Sequence, residues 1–491
     1  MLVIFLFAID ATIVSSAMPT VVSHLGDLEL YSWVFSVYML TSALATPLFG
    51  KLSDLYSRRS LMLFGIGTFV LGSALCGAAT SMLQLIIFRA VQGIGGGAIY
   101  ALAFIIVGVV FPVDRRAQMQ GLISSVWGIA AILGPVGGGL MAEYWSWRWI
   151  FWINLPLGVV AAWLIVSGFK DSAAENREQS LDLLGAVVLL IALFLLFEGL
   201  LLSADRITLL SPDLLALFAS SLVGLVLFVW IEARASEPLL PPELFRISNF
   251  TRPTLLSLLA AMGIFGVIGY VPLYVQGVLG RSAAVAGLTL LPVSVGWTAG
   301  SLIAGRFMNA WGYRNVCSVG MTSMLAGYGF LLTLQPTSGL SPIMLAVSAI
   351  GTGMGMVNVT ALVAAQAAVS FNHLGVATST LMLFRTFGGA LALSIMGSVL
   401  LRGMNSGLSA LGADVKATMP DDVAQRLMNP QNLLEPSTRA LVPDHLLPML
   451  TESLVSALWW AFLVGLMAVA AGLVLSIFIQ ATTDGSPKAQ D

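Results

Sequence analysis

Charge is scarce in this chain. Only 9% of its 491 residues are Asp, Glu, Lys or Arg, while 58% are hydrophobic and the mean hydropathy is +0.94. That balance excludes a soluble globular domain, whose surface needs far more charge. The formal net charge is -2 and the pI about 5.9, so there is no basic face for phosphates and no nucleic-acid partner is expected. Cysteine is nearly absent. Cys76 and Cys317 each fall inside an apolar stretch and read as small packing residues, not as a disulfide or a metal pair. His24, His373 and His445 stand far apart at the ends of predicted segments without metal-ligand spacing, so neither a metal nor another cofactor is expected. No Gly-Lys-Ser/Thr phosphate loop occurs, and no polar segment is long enough for a nucleotide-binding domain, which excludes direct ATP drive. The clustered His, Asp and Ser residues of a polytopic membrane enzyme are also missing.

What the chain has instead is apolar length. A membrane-spanning helix needs about 20 apolar residues, and fourteen such runs follow one another from 1–22 to 453–479. The fold class is therefore an all-α polytopic membrane protein. The first run begins at the initiator Met without a basic flank, and it reads as a spanning helix, not a cleaved signal. Lys and Arg concentrate in alternate loops, which places both termini in the cytoplasm; the short external loops hold only Arg148, Arg206 and Arg281. A charged cytoplasmic linker is expected at 170–182 and another at 233–252. A longer external segment is expected at 402–452, and a cytoplasmic tail at 481–491.

Between the second and third runs lies Gly50-Lys51-Leu52-Ser53-Asp54-Leu55-Tyr56-Ser57-Arg58-Arg59, which reads as a tight polar turn. Its pattern recurs 255 residues later (305 minus 50): Gly305, Arg306, Asn309 and Arg314 repeat the Gly, base, Asp or Asn, and Arg at the same spacing. Gly50 permits two helices to approach, the bases obey the positive-inside rule, and Asp54 suits a helix N-terminus with its orphan N–H groups. A basic loop that sets topology alone would also carry these bases, but it would need no fixed spacing. Matching the two copies divides the chain into a six-helix half at 1–169, two inserted helices at 183–232, and a second six-helix half at 253–480. Repeated halves with a midplane site at their interface are the architecture of secondary transporters.

Several motifs together resemble the major facilitator superfamily and, within it, the fourteen-span drug/proton antiporters. The turn at 50–59 is similar to the superfamily's loop motif. Ala8-Ile9-Asp10-Ala11-Thr12-Ile13-Val14 through Met18-Pro19 resembles the first-helix motif, and Arg89-Ala90-Val91-Gln92-Gly93-Ile94-Gly95 the fourth-helix motif. Gly134-Pro135-Val136-Gly137-Gly138-Gly139 resembles the fifth-helix motif of exporters, and Ser146 through Pro156 the loop that follows it. Three positions depart from the pattern: Ser57 replaces a usual Gly, Ser15 a usual Asn, and Ala130 a usual Gly. Ser57 is expected to cost on the order of 1 kcal/mol if the turn is left-handed.

The resemblance implies a major facilitator fold and proton-coupled export of hydrophobic or cationic compounds by alternating access. The expected partners are a proton, an amphipathic small molecule and the lipid bilayer. A monomer in the plasma membrane is expected. Lipid or siderophore export on the same fold, a polytopic enzyme and a non-transporting sensor are the alternatives.

Charges at membrane depth are costly unless partnered or hydrated, and Asp10, Arg89 and Arg385 are the deep ones. Asp10 and Arg89 lie about 12–14 Å from opposite surfaces at 1.5 Å per residue, which lets them meet near the midplane. They are the candidate proton-coupling pair, with carbonyl-satisfied structural roles as the alternative. Arg385 is read as structural, and Glu143 and Glu198 as hydrated residues near external ends. Gly134, Pro135, Gly138 and Gly139 are candidates for a gating kink, or else for close backbone packing. Trp33, Gln92, Trp127, Asn358 and Gln366 are candidates for an aromatic, amide-dotted cavity.

Overall fold

The computed structural model describes residues 1–26, 30–169, 182–204, 211–235, 238, 240–410 and 447–480. The expected linker at 170–182 except Asp182, most of the segment at 402–452, the tail at 481–491 and His445 lie outside the described residues, as do the side chains of Ser15, Pro135 and Glu143. Among the described residues there is no strand. In chain order the helices are α1 (Leu2–Leu25), α2 (Tyr31–Leu55), α3 (Arg58–Ala78), α4 (Met82–Val110), α5 (Val113–Tyr144), α6 (Trp149–Trp152) and α7 (Asn154–Gly168). They continue as α8 (Leu183–Ala204), α9 (Pro212–Glu232), α10 (Ser248–Leu273), α11 (Ala283–Leu332), α12 (Leu340–Ala367), α13 (Leu374–Ala410) and α14 (Leu447–Ile477).

Among the described residues ten helical stretches are long and apolar enough to cross a membrane, and shorter apolar stretches occur at Leu2–Val14 and Leu184–Leu200. Length explains this directly: the 21 residues of α3 rise about 30 Å, the thickness of the hydrocarbon core. Helix α11, with 50 residues, is far longer than one crossing needs. It leaves helical geometry at Gly312 alone, where φ is 77° and ψ 160°.

Two apolar cores organise the helices. One joins α10 to α14 around Tyr274, Met324, Tyr328 and Phe462, and the other occupies α1 to α7 around Phe69, Trp147 and Phe151. A third cluster ties the groups together, with Ile4, Phe104 and Ile123 packed against Leu362, Val376 and Leu381. Helix α8 lies beside the junction of α2 and α13, where Leu40, Leu189, Phe197 and Leu383 share a cluster. Helix α9 rests on α8 through the Ser221 hydroxyl, which donates to the Ala192 carbonyl at 2.9 Å, and it leaves Leu222, Val223, Val226 and Trp230 exposed, as a lipid-facing helix would.

Three local expectations are corrected. The stretch at 50–59 is not a loop: α2 runs on to Leu55 and α3 starts at Arg58, so only Tyr56 and Ser57 lie between them. Ser57 is not left-handed, with φ -55°, and its Oγ caps α3 by accepting from the Ser60 amide at 3.4 Å. The strain assigned to Ser57 is therefore absent. In the second copy the equivalent position (57 plus 255) is Gly312, which does take a positive φ of 77°. The span expected to open at Pro253 begins instead at Ser248 and carries Pro253 inside α10. There the Thr254 hydroxyl binds the Phe250 carbonyl at 2.7 Å, inside the first turns of the helix.

Candidate functional site

Asp10, on α1, is fully buried, and every group that binds it is a donor. Arg89 Nη1 reaches its Oδ2 at 2.7 Å, while Gln92 Nε2 and Asn154 Nδ2 reach its Oδ1 at 2.8 Å and 3.1 Å. The helical repeat explains the pairing on α4, since residues three apart share a face and Arg89 also donates to Gln92 Oε1 at 2.9 Å. The Arg89 guanidinium lies 3.9 Å from the centre of the Tyr38 ring on α2, which adds a cation–π contact. Asn154 Nδ2 is also 3.0 Å from Ser73 Oγ, and that hydroxyl donates to the Phe151 carbonyl at 2.8 Å. Helices α1, α4 and α7 thus meet at one carboxylate, and α2, α3 and α6 join the same network through Tyr38, Ser73 and Phe151. Both carboxylate oxygens accept from donors.

A second cation stands across the junction. Arg385 of α13 donates to Asn358 Oδ1 on α12 and to the Tyr100 hydroxyl on α4. Tyr100 belongs to an aromatic cluster in which its ring stacks on Phe7 at 4.9 Å and meets Trp127 edge-on at 6.3 Å and Phe104 at 5.3 Å. Phe7 also stacks on Tyr38 at 6.2 Å, so rings run continuously from Arg89 to Arg385.

The first copy of the repeated turn joins the two helix groups. Asp54 Oδ1 and Oδ2 accept the Gly375 and Val376 amides at 2.8 Å and 2.9 Å, at the first residues of α13. Those are orphan N–H groups at the positive end of a helix, the natural seat for a carboxylate. Glycine is required on both sides: a Cβ on Gly50 would lie 1.9 Å from Ser379 Oγ, and one on Gly375 2.3 Å from the Gly50 carbonyl. Arg59 donates to the Val166 carbonyl near the end of α7 at 2.7 Å, and its repeat equivalent Arg314 donates to the Ile479 carbonyl just past α14 at 3.0 Å. Both copies cap the C-terminus of the last helix in their group. Lys51 and Arg58 are buried to 5% exposure, whereas Arg306 and Asn309 are exposed.

The other predicted residues scatter. Gln92 and Trp127 belong to the networks above, but Trp33, 39% exposed, joins neither. Gln366 bridges α12 and α13 by donating to Thr378 Oγ1 at 2.9 Å. Helix α5 runs unbroken through Gly134, Pro135, Gly138 and Gly139, and a Cβ on Gly134 would sit 2.0 Å from Thr12 Oγ1, so this glycine sets the α1–α5 approach. Sequence reasoning missed Asn154, Ser73, Tyr38, Tyr100 and Phe7 as site residues. Asn154 lay within a recognised motif; the others are ordinary residues of apolar helices and gave no signal. Among the described residues no group of three His, Cys, Asp or Glu could hold a metal ion.

Comparison with known proteins places this arrangement. Residues 1–393 match the family model of the Major Facilitator Superfamily. The chain is 33% identical over 505 residues to the multidrug transporter protein MdtP of Bacillus subtilis (strain 168), covering 99% of this chain and 93% of the relative. It is also 33% identical over 482 residues to multidrug resistance protein 3 of the same organism, covering 97% and 93%. The solved proton:xylose symporter XylE shares the fold, with a TM-score of 0.61 at 15% identity over 98% of this chain and 94% of that one. From its family model, full-length relatives and membrane-spanning helices, the chain is an integral membrane transporter, not an enzyme, and belongs to the Major Facilitator Superfamily.

Proposed function

We propose that this transporter exports amphipathic compounds in exchange for protons. The observation that carries the reading is the Asp10 site: a fully buried carboxylate whose bound groups are all donors. Adding a proton to Asp10 would remove the charge that holds the Arg89 guanidinium, so protonation weakens the tie between α1 and α4. Proton loading therefore becomes movement of α4 against α1, while ring contacts lead from Arg89 toward the junction with α12 and α13. The names of the relatives support a multidrug cargo, and the exporter-like α5 motif supports outward direction.

Alternating access would rock two six-helix halves, 1–169 and 253–480, about the junction between them, with α8 and α9 as an insert. Counting both arms of α11 as crossings, α6 with α7 as one, and α1, α5 and α8 as full spans supports fourteen crossings. An even count puts both termini on one side, and the Lys and Arg bias of the loops supports the cytoplasm as that side, for a monomer in the plasma membrane.

Everted vesicles with an imposed proton gradient test this. Asp10→Asn keeps the size of the side chain but cannot titrate, so gradient-driven export should vanish while the protein still accumulates. Because that change leaves Arg89 buried without a counter-ion, the double variant Asp10→Asn/Arg89→Gln should accumulate better and still show no proton-driven export. Wild-type export by the Asp10→Asn protein would refute the assignment and make Glu198 the next residue to test.

A further inference from the structure

The deep charges do not balance. Among the described residues at membrane depth, one buried carboxylate, Asp10, stands against two guanidiniums, Arg89 and Arg385, all at 5% exposure or less. Asp10 is consumed by Arg89 within the α1–α7 group. Arg385 lies 11 residues beyond Leu374 (385 minus 374), about 16 Å along α13 at 1.5 Å per residue, in the middle of the apolar stretch Phe371–Met404. Its partners among the described residues, Asn358 and the Tyr100 hydroxyl, are neutral, and no carboxylate pairs with it. A guanidinium carries five N–H donors, so two such bonds leave donors to spare.

A permanent positive charge at membrane depth is expensive without an anion or water beside it. Two features say what the anion is attached to. Arg385 and Asn358 belong to α13 and α12, while Tyr100 belongs to α4, so the charge sits on the junction that must open and close. Beside it stands the cluster of Tyr100, Phe7, Trp127 and Phe104, an apolar wall suited to stacking.

We propose that Arg385 is the recognition residue for an acidic group on the cargo, and that the preferred cargo is an aromatic or apolar body carrying one carboxylate or similar anion. This deepens the reading of the junction as the cargo path and replaces the cationic class expected from sequence. The anion docks on the free donors of Arg385 while its body stacks on the Tyr100 cluster. A cation at the same place meets like charge, which excludes it. When α4 separates from α12 and α13, the site loses its Tyr100 wall and releases the body of the ligand.

The test uses a xanthene dye with a free carboxylate and its methyl ester, two probes that differ only in the acidic group. Binding to the purified full-length protein in detergent is read by dye anisotropy, and transport in proteoliposomes by dye accumulation. The wild type should bind the acid at least about tenfold more tightly than the ester, the effect of one charge-assisted contact. Arg385→Gln should remove that preference while still binding the ester, and Arg385→Lys should restore part of it. Equal binding of acid and ester by the wild type overturns the proposal, whether or not any variant folds. An unchanged preference in Arg385→Gln overturns it too and returns Arg385 to a structural bridge between α4 and α12. Selective acid binding without proton-driven transport would support this site and refute the antiport reading instead.

Discussion

Replacing Asp54 by Asn should shift the balance between the states of the carrier. In the structure the carboxylate accepts two amides at the start of α13, at 2.8 Å and 2.9 Å, across the junction between the helix groups. A charge-assisted bond contributes about 1.5–3 kcal/mol and a neutral one about 1 kcal/mol. The amide of Asn keeps one acceptor and no charge, so the contact weakens by about 2 kcal/mol even after water at its half-buried edge softens the loss. That is a change of about 30-fold in the population of the docked state. Labels at Tyr56, 51% exposed, and at Asn372, also exposed, flank the contact without entering it. Their distance distribution should be dominated by the short component in the wild type and move to longer distances in Asp54→Asn. Transport should fall in parallel, while insertion, which depends on summed apolar transfer, is unaffected. Normal expression with an unchanged distribution and the wild-type rate would refute the docking argument and leave the hinge as a topology signal.

Three further outcomes follow from the contacts. Gly134→Ala places a Cβ 2.0 Å from Thr12 Oγ1 and should lower thermal stability in detergent by the roughly 1–3 kcal/mol of an overpacked site, whereas Gly137→Ala and Gly139→Ala, with nothing within 4 Å, should not; equal effects at all three would point to helix flexibility instead. Arg59→Ala and Arg314→Ala each remove a cation from a helix C-terminus and should each lower stability by about 0.5–2 kcal/mol without preventing insertion, and unchanged melting would show that these bonds are replaced by water. Single cysteines placed within 411–446 should react with an impermeant external thiol reagent and those within 170–181 should not; the reverse labelling would invert the topology.

Much of this molecule is written locally. Fourteen apolar runs announce membrane helices because a hydrocarbon core demands about 20 apolar residues per crossing, whatever the neighbours do. Asp10 and Arg89 were visible for the same reason: a charge inside such a run is an anomaly that asks for a partner, and depth alone made each the candidate for the other. The repeat of Gly50 to Arg59 in Gly305 to Arg314 was legible as spacing. What those residues touch was not. The motif position suggests a left-handed glycine at Ser57, yet its backbone stays at φ -55° and the positive φ belongs to Gly312.

Composition, periodicity and charge position therefore determined the class, the helical fold and the carboxylate at the centre, since each is a property of a residue and its near neighbours. Only the tertiary structure decided the partners. Asp54 meets α13 from 321 residues away, Asn154 reaches Asp10 across 144, and Arg385 finds Tyr100 across 285. Asn154 and Tyr100 carry no net charge, so membrane depth does not make either conspicuous, and nothing local says which helix will stand opposite. Packing of apolar faces chooses the neighbours, and the polar groups take the partners that this packing presents.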